Sequence, residues 1–128
     1  MDTDQFQHAR ENAKGWLTSI EEMTNVLADS EPDKSRDRAT KTIHESVLSV
    51  LVRDGWHEPG CPSEDGAEEY EILLSTGGPA LRIWGRLGKY DEPESAELQM
   101  QDWGIPWTRY PAPEATLLLF AQQFYFGG

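Results

Sequence analysis

The chain has 128 residues, 38% hydrophobic and 10% aromatic, which suits one domain with a single apolar core and excludes a disordered polymer. Its 11 Lys and Arg against 23 Asp and Glu give a formal net charge of −12, a balance that repels nucleic acid and anionic membranes and favours basic surfaces. Cys61 is the single cysteine, so an intramolecular disulfide and a thiolate metal cluster are excluded; no run approaches the roughly 18 apolar residues of a membrane span, and a soluble, cytoplasmic protein without an export signal is expected.

In residues 4–28 the apolar positions Phe6, Ala9, Ala13, Trp16, Leu17, Ile20, Met23 and Leu27 step by three or four, the spacing of an amphipathic helix. Gly15 inside it costs about 1 kcal/mol relative to Ala, which close packing of another element would explain. In "SEPDKSRD", residues 30–37, Pro32 ends that helix and Asp33 or Ser35 caps a second one running to about Glu45. The second helix is mostly polar, with Ala39 and Ile43 as its anchors, and belongs on the outside.

"VLSVLVRD", residues 47–54, is rich in β-branched side chains and reads as the first strand; residues 55–69 have the Gly, Pro and acid content of a long surface loop. Residues 69–87 contain two alternating runs around Gly77 and Gly78, the pattern of a hairpin. That register sets Leu74 opposite Leu81, Ile72 opposite Ile83 and Tyr70 opposite Gly85 on an apolar face. Glu69, Glu71, Leu73, Arg82, Trp84 and Arg86 occupy the other face. A fourth strand over 95–102 follows the turn "YDEPE". The last segment, "PEATLLLFAQQFYFGG", begins with Pro113 and Glu114 and ends in glycines, as helices do, with Leu117, Leu118, Phe120, Ala121, Phe124 and Tyr125 as its buried stripe. The expected fold is α+β in a single domain, an antiparallel sheet of about four strands with helices packed on one face, in the order α-α-β-β-β-β-α.

No Walker loop, dinucleotide fingerprint, nucleophile elbow, zinc finger or H-E-x-x-H is present. "LSTGGPA" lacks a following lysine and lies between strands, so it is a turn. "WHEPGC" brings His57, Glu58 and Cys61 within five residues, the groups of a nucleophilic or transient metal site. They share one loop, however, and one Cys with one His is too few for a structural zinc. His8 and His44 read as solvent-facing helix positions. No enzyme, cofactor or metal is expected.

Acids are the remaining signal. Residues 54–71 hold seven of them (Asp54, Glu58, Glu64, Asp65, Glu68, Glu69, Glu71) and no Lys or Arg. Glu69 and Glu71 stand about 6.7 Å apart by strand rise, and Asp91, Glu92, Glu94 and Glu97 continue the charge beyond the hairpin. Such a stripe imitates phosphates, unless it is simply a solvated acidic surface. Arg86 opposite Glu69 and Arg82 diagonal to Glu71 would neutralise the hairpin, at about 0.2 to 1 kcal/mol each, leaving the loop acids and residues 91–97 to carry the field. "QDWGIPWTRYPAP", residues 101–113, has two Trp, a Tyr and three Pro, so it cannot continue a helix or a central strand. Its Trp103, Ile105, Trp107 and Tyr110 either cover an open end of the sheet or present an aromatic anchor to an arginine-lined groove. The candidate partner-binding residues are Glu58, Glu64, Asp65, Glu68, Glu69, Glu71, Asp91, Glu92, Glu94, Glu97, Trp103, Trp107 and Tyr110.

The strings "LLSTGGPALRIWG", "QDWGIPWTRYP" and "FAQQFYFG" resemble a family of small acidic proteins, mostly uncharacterised, from phages and other bacterial mobile elements. The resemblance covers most of the chain after the first helix, and its motifs have no catalytic meaning. It implies a context in which small proteins disable host defence, some anti-CRISPR proteins being similar in size and acidity. The expectation that follows is a non-enzymatic inhibitor in the bacterial host cytoplasm. It would bind the basic nucleic-acid channel of a type I CRISPR surveillance complex, Cascade, and block target DNA, without contacting nucleic acid or membrane itself. The alternative is an accessory interaction module of the mobile element without anti-defence activity.

Overall fold

The computed structural model describes residues 3–30, 34–54, 59–60, 67–77, 79–102 and 106–126. The helical spacing of the first segment becomes α1, Thr3–Asp29. Its Ala9, Ala13, Ile20 and Leu27 are buried, and Trp16, Leu17 and Met23 lean on the same core. Thr24 joins them because its hydroxyl donates to the carbonyls of Ile20 at 2.9 Å and Glu21 at 3.1 Å, which removes the cost of burying it. Helix α2, Lys34–Ser46, buries Ala39 and Ile43 and exposes most of its polar remainder, as its composition requires. Pro32 and Asp33, assigned above to end one helix and cap the next, lie outside the described residues. Helix α3, Glu114–Ala121, starts after Pro113, whose φ of −65° suits a helix entrance.

Five strands, β1 (Ser49–Asp54), β2 (Ala67–Ser75), β3 (Ala80–Arg86), β4 (Glu97–Gln101) and β5 (Thr108–Tyr110), form one antiparallel sheet in the order β1-β2-β3-β4-β5. The fold is α+β, with five strands rather than the expected four. The additional strand, β5, lies in the proline-rich stretch between Pro106 and Pro111. It is three residues long and at the edge, where a proline takes no ladder bond away. The hairpin register holds at Tyr70–Gly85 and Ile72–Ile83. Nearer the turn, Leu81 faces Ser75 instead of Leu74, because the register shifts by one residue between Leu73 and Ser75. Gly77 supplies the positive φ, 91°, that the turn requires; Gly78 lies outside the described residues.

The helices cover one face of this sheet. Helix α1 touches β3 and β4, α3 touches β4, and α1 packs on both α2 and α3. Between the layers Tyr70, Ile72, Leu81, Ile83 and Leu98 meet Ile20, Leu117 and Phe120, all at most 1% exposed. Each large side chain so buried contributes about 1.5 to 3 kcal/mol. Among the described residues no helix is long and apolar enough to cross a membrane.

Two expectations are corrected here. Gly15 is exposed, and a Cβ placed on it would meet no atom within 4 Å, so no close-packed neighbour explains the glycine. Helix α3 stops at Ala121, which takes Tyr125 off the buried stripe and leaves it 82% exposed, while Phe126 turns inward to 4%. Gly85 is the opposite of Gly15: its Cβ would stand 2.0 Å from the backbone oxygen of Ser95. The two glycines should therefore respond to alanine with opposite signs. In urea unfolding followed by circular dichroism, Gly15→Ala is expected to raise stability by up to about 1 kcal/mol, and Gly85→Ala to lower it by about 3 kcal/mol.

Candidate partner-binding surface

The face of the sheet away from the helices is polar, because alternate strand residues point to opposite sides. Strand pairing sorts them into rows. Arg53, Glu69 and Arg86 form one; Leu51, Glu71, Trp84 and Glu97 the next; Leu73, Arg82, Gln99 and Arg109 a third. Glu69 does not pair with Arg86 as expected. One guanidinium nitrogen of Arg53, on β1, stands 2.7 and 2.6 Å from its two oxygens, and the Trp84 indole N–H donates to the same carboxylate at 3.0 Å. Hydrogen bonding from Arg53 holds the Glu69 carboxyl below its ordinary range, with Arg86 adding a smaller charge effect. Glu71 pairs with Arg82 at 2.6 Å, the diagonal contact that the register predicts. Arg82 also donates to Gln99 at 2.7 Å and lies 4.3 Å above the ring of Trp107. The shallow groove here, about 300 Å³, thus has a floor of mutually neutralised charges.

One end of the sheet is different. In an antiparallel meander the β1–β2 and β3–β4 connections leave from the same end, so Glu68 at the start of β2 lies at the same end of the sheet as Asp91, Glu92, Glu94 and Glu97. Glu68, Glu92 and Glu94 are exposed, Asp91 and Glu97 half-buried. None of the five forms an ion pair among the described residues. The chain leaves the sheet at Asp54 and returns at Ala67 on this same end. Glu58, Glu64 and Asp65, with His57 and Cys61, lie outside the described residues.

The β3–β4 connection is tied down closely. Leu87 bridges to Pro93, the Gly88 N–H donates to the Glu92 carbonyl at 2.8 Å, and the Glu94 N–H donates to the Arg86 carbonyl at 2.8 Å. Beneath them the Tyr70 hydroxyl donates to the Ser95 carbonyl at 2.6 Å. Burial, and secondarily the charge of Glu114, pushes this hydroxyl well above its ordinary pKa, so it remains a donor at any physiological pH.

The aromatic candidates lie elsewhere. Trp107 is half-buried under Arg82 next to β5, and Tyr110 turns toward the helices and packs on the core. Trp103 lies outside the described residues. From the level of Arg82 to that of Arg86 is four strand residues, about 13 Å, so Trp107 and the acidic end belong to different regions. The β3–β4 connection carries Asp91, Glu92 and Glu94, the Glu68 carbonyl accepts from Leu87 beside it, and Glu97 stands at the same end in the row of Trp84 and Glu71; Glu69 and Glu71, unlike these five, are neutralised by arginines.

No protein-family model, curated protein or solved structure matches this chain. Among the described residues no group of three His, Cys, Asp or Glu is placed to hold a metal ion. Sequence reading overlooked Arg53, whose pairing with Glu69 depends on β1 lying beside β2, and Tyr90, 89% exposed in the middle of the acidic connection. The "YDEPE" composition marked a turn there, but gave no reason for a ring to point outward.

Two measurements check the polar face. Arg82, whose side chain is 19% exposed and has three partners, is expected to cost about 2 kcal/mol on replacement by Ala in urea unfolding; Arg53, 74% exposed, should cost less. Because the Glu69 pKa is lowered by folding, its contribution is present above the ordinary carboxylate value of about 4.3 and is lost as pH falls through the folded value. Glu69→Gln should flatten that part of the acid limb in a urea-midpoint profile from pH 7 to 3.

Proposed function

We propose that this chain is a non-enzymatic inhibitor that binds a positively charged, nucleic-acid-binding protein surface and keeps nucleic acid off it. The observation that carries the reading is the charge division on the sheet. Glu69 and Glu71 at the middle of its face are matched by arginines, while Glu68, Asp91, Glu92, Glu94 and Glu97 toward one end form no ion pair among the described residues. A binding surface for anions is complementary to such an end, and the net charge of −12 steers the encounter. Glu92 and Glu94, two residues apart around Pro93, present carboxylates where that surface would otherwise meet phosphates.

The choice of target rests on the resemblance of three segments to small acidic proteins of phages and mobile elements. In that context the basic surface is the DNA channel of a type I CRISPR surveillance complex in the host cytoplasm, and the chain acts as an anti-CRISPR protein.

The test is binding of the purified chain to a reconstituted Cascade complex, measured with and without target DNA. The expected result is competition with DNA and an affinity about tenfold or more weaker at 0.5 M than at 0.1 M salt. Replacing Glu92 and Glu94 by Lys should weaken binding by a similar factor, while Glu21→Lys with Glu22→Lys on α1 should have far less effect. Binding that ignores salt and DNA would sink phosphate mimicry. Absence of binding, with recovery of only phage or plasmid proteins from a lysate, would favour an accessory module instead.

A further inference from the structure

The segment after α3 does not simply trail off. The His44 ring on α2 donates from Nε2 to the Gln123 carbonyl and lies 5.1 Å from the Phe124 ring. Phe126 then turns into the core, 4.9 Å from the Tyr70 ring. Tyr70 is the residue whose hydroxyl holds Ser95, so the segment ends beside the β3–β4 connection. Between the two runs a groove of about 360 Å³, lined by Tyr90, Asp91, Glu92, Phe124, Tyr125 and Phe126.

Its composition is unusual for a surface furrow. Tyr90 and Tyr125, two of its lining side chains, are 89% and 82% exposed, although each would gain by burying its ring. Tyr90 and Asp91 both have left-handed backbones, φ 65° and 57°, a conformation that residues with a Cβ avoid. Two carboxylates face the same space without an ion pair, and no described cationic side chain lines it.

We propose that this groove is a seat for an arginine side chain presented by a basic partner. The charge is complementary, and a guanidinium suits the lining better than an ammonium does. Its plane stacks on tyrosine, and its fork of N–H groups meets a carboxylate in bidentate fashion. The aliphatic stem of the arginine would lie on Phe124. The proposal rests on the basic-surface reading given above, and it names the anchor by which that surface is held.

The probe is a capped tri-arginine peptide, titrated into the isotopically labelled full chain and followed by backbone-amide NMR beside a tri-lysine peptide of equal charge. Shifts confined to residues 90–92 and 122–126, with arginine at least about threefold tighter than lysine, are the expected result. Tyr90→Ala combined with Tyr125→Ala should weaken arginine binding about tenfold. Both rings are exposed, so the variant keeps its fold, which the spectrum itself verifies. Asp91→Asn should narrow the preference for arginine over lysine. Shifts spread over all the acidic residues with equal affinity for the two peptides, or a double-Tyr variant that binds like the parent, would overturn the proposal. Arginine binding in the groove without any binding to Cascade leaves the groove established and removes the target. Cascade binding that persists in the double-Tyr variant removes the groove and leaves the inhibitor reading.

Discussion

The backbone of the β3–β4 connection crosses β3 so closely at Gly85 that the Ser95 carbonyl occupies the place of a side chain. That contact needs a donor for the carbonyl, and Tyr70, directly across the ladder from Gly85, supplies it from within the core. The Tyr70 ring in turn is the surface on which Phe126 comes to rest. One missing methyl group thus determines how the acidic connection lies, how deep the buried tyrosine sits, and where the segment after α3 can dock. The Ser95 hydroxyl accepts from the Arg86 N–H at 3.0 Å, so the crossing is closed on both sides.

The distribution of charge follows from the same arrangement. On the flat polar face strands lie about 4.8 Å apart, and arginines on β1 and β3 reach the glutamates of β2 from either side. At the end of the sheet the chain turns away from its neighbours, and although Arg86 closes β3 there, no ion pair among the described residues joins a cation to Glu68, Asp91, Glu92, Glu94 or Glu97. The net charge of the protein is therefore a poor description of what a partner meets. A partner approaching the face would find a nearly neutral lattice of Arg, Glu and Trp, and one approaching the end would find carboxylates that form no ion pair among the described residues.

The fold was largely legible because its signals are local. Apolar spacing of three or four located α1, alternation around two glycines located the β2–β3 hairpin, and a Pro-Glu start located α3. Residues that depend on distant pairing were not legible. Arg53 becomes the partner of Glu69 only through the β1–β2 ladder, and the one-residue shift near Ser75 has no sequence mark. Gly15 and Gly85 show the limit most plainly: both sit inside regular elements, and only the neighbouring backbone separates a glycine that nothing crowds from one that nothing can replace. Of the candidate site, the acids at 91–97 were readable from composition. Tyr90 and Tyr125 were not, since an aromatic in a turn or at a helix end is by default assigned to the core.

The strand order is the sequence order, so every ladder joins neighbours along the chain, and the sheet can assemble hairpin by hairpin with short loop closures. The layer that covers it cannot. Helix α1 precedes the sheet, α3 follows it, and they pack on each other across β4. The strands therefore have an apolar face whose cover is incomplete until α3 is available, which makes the order of synthesis matter. During translation the completed meander would expose part of the face that carries Ile72, Ile83 and Leu98 with only the preceding helices as cover, and the core closes once α3 has formed and packed on α1 and β4.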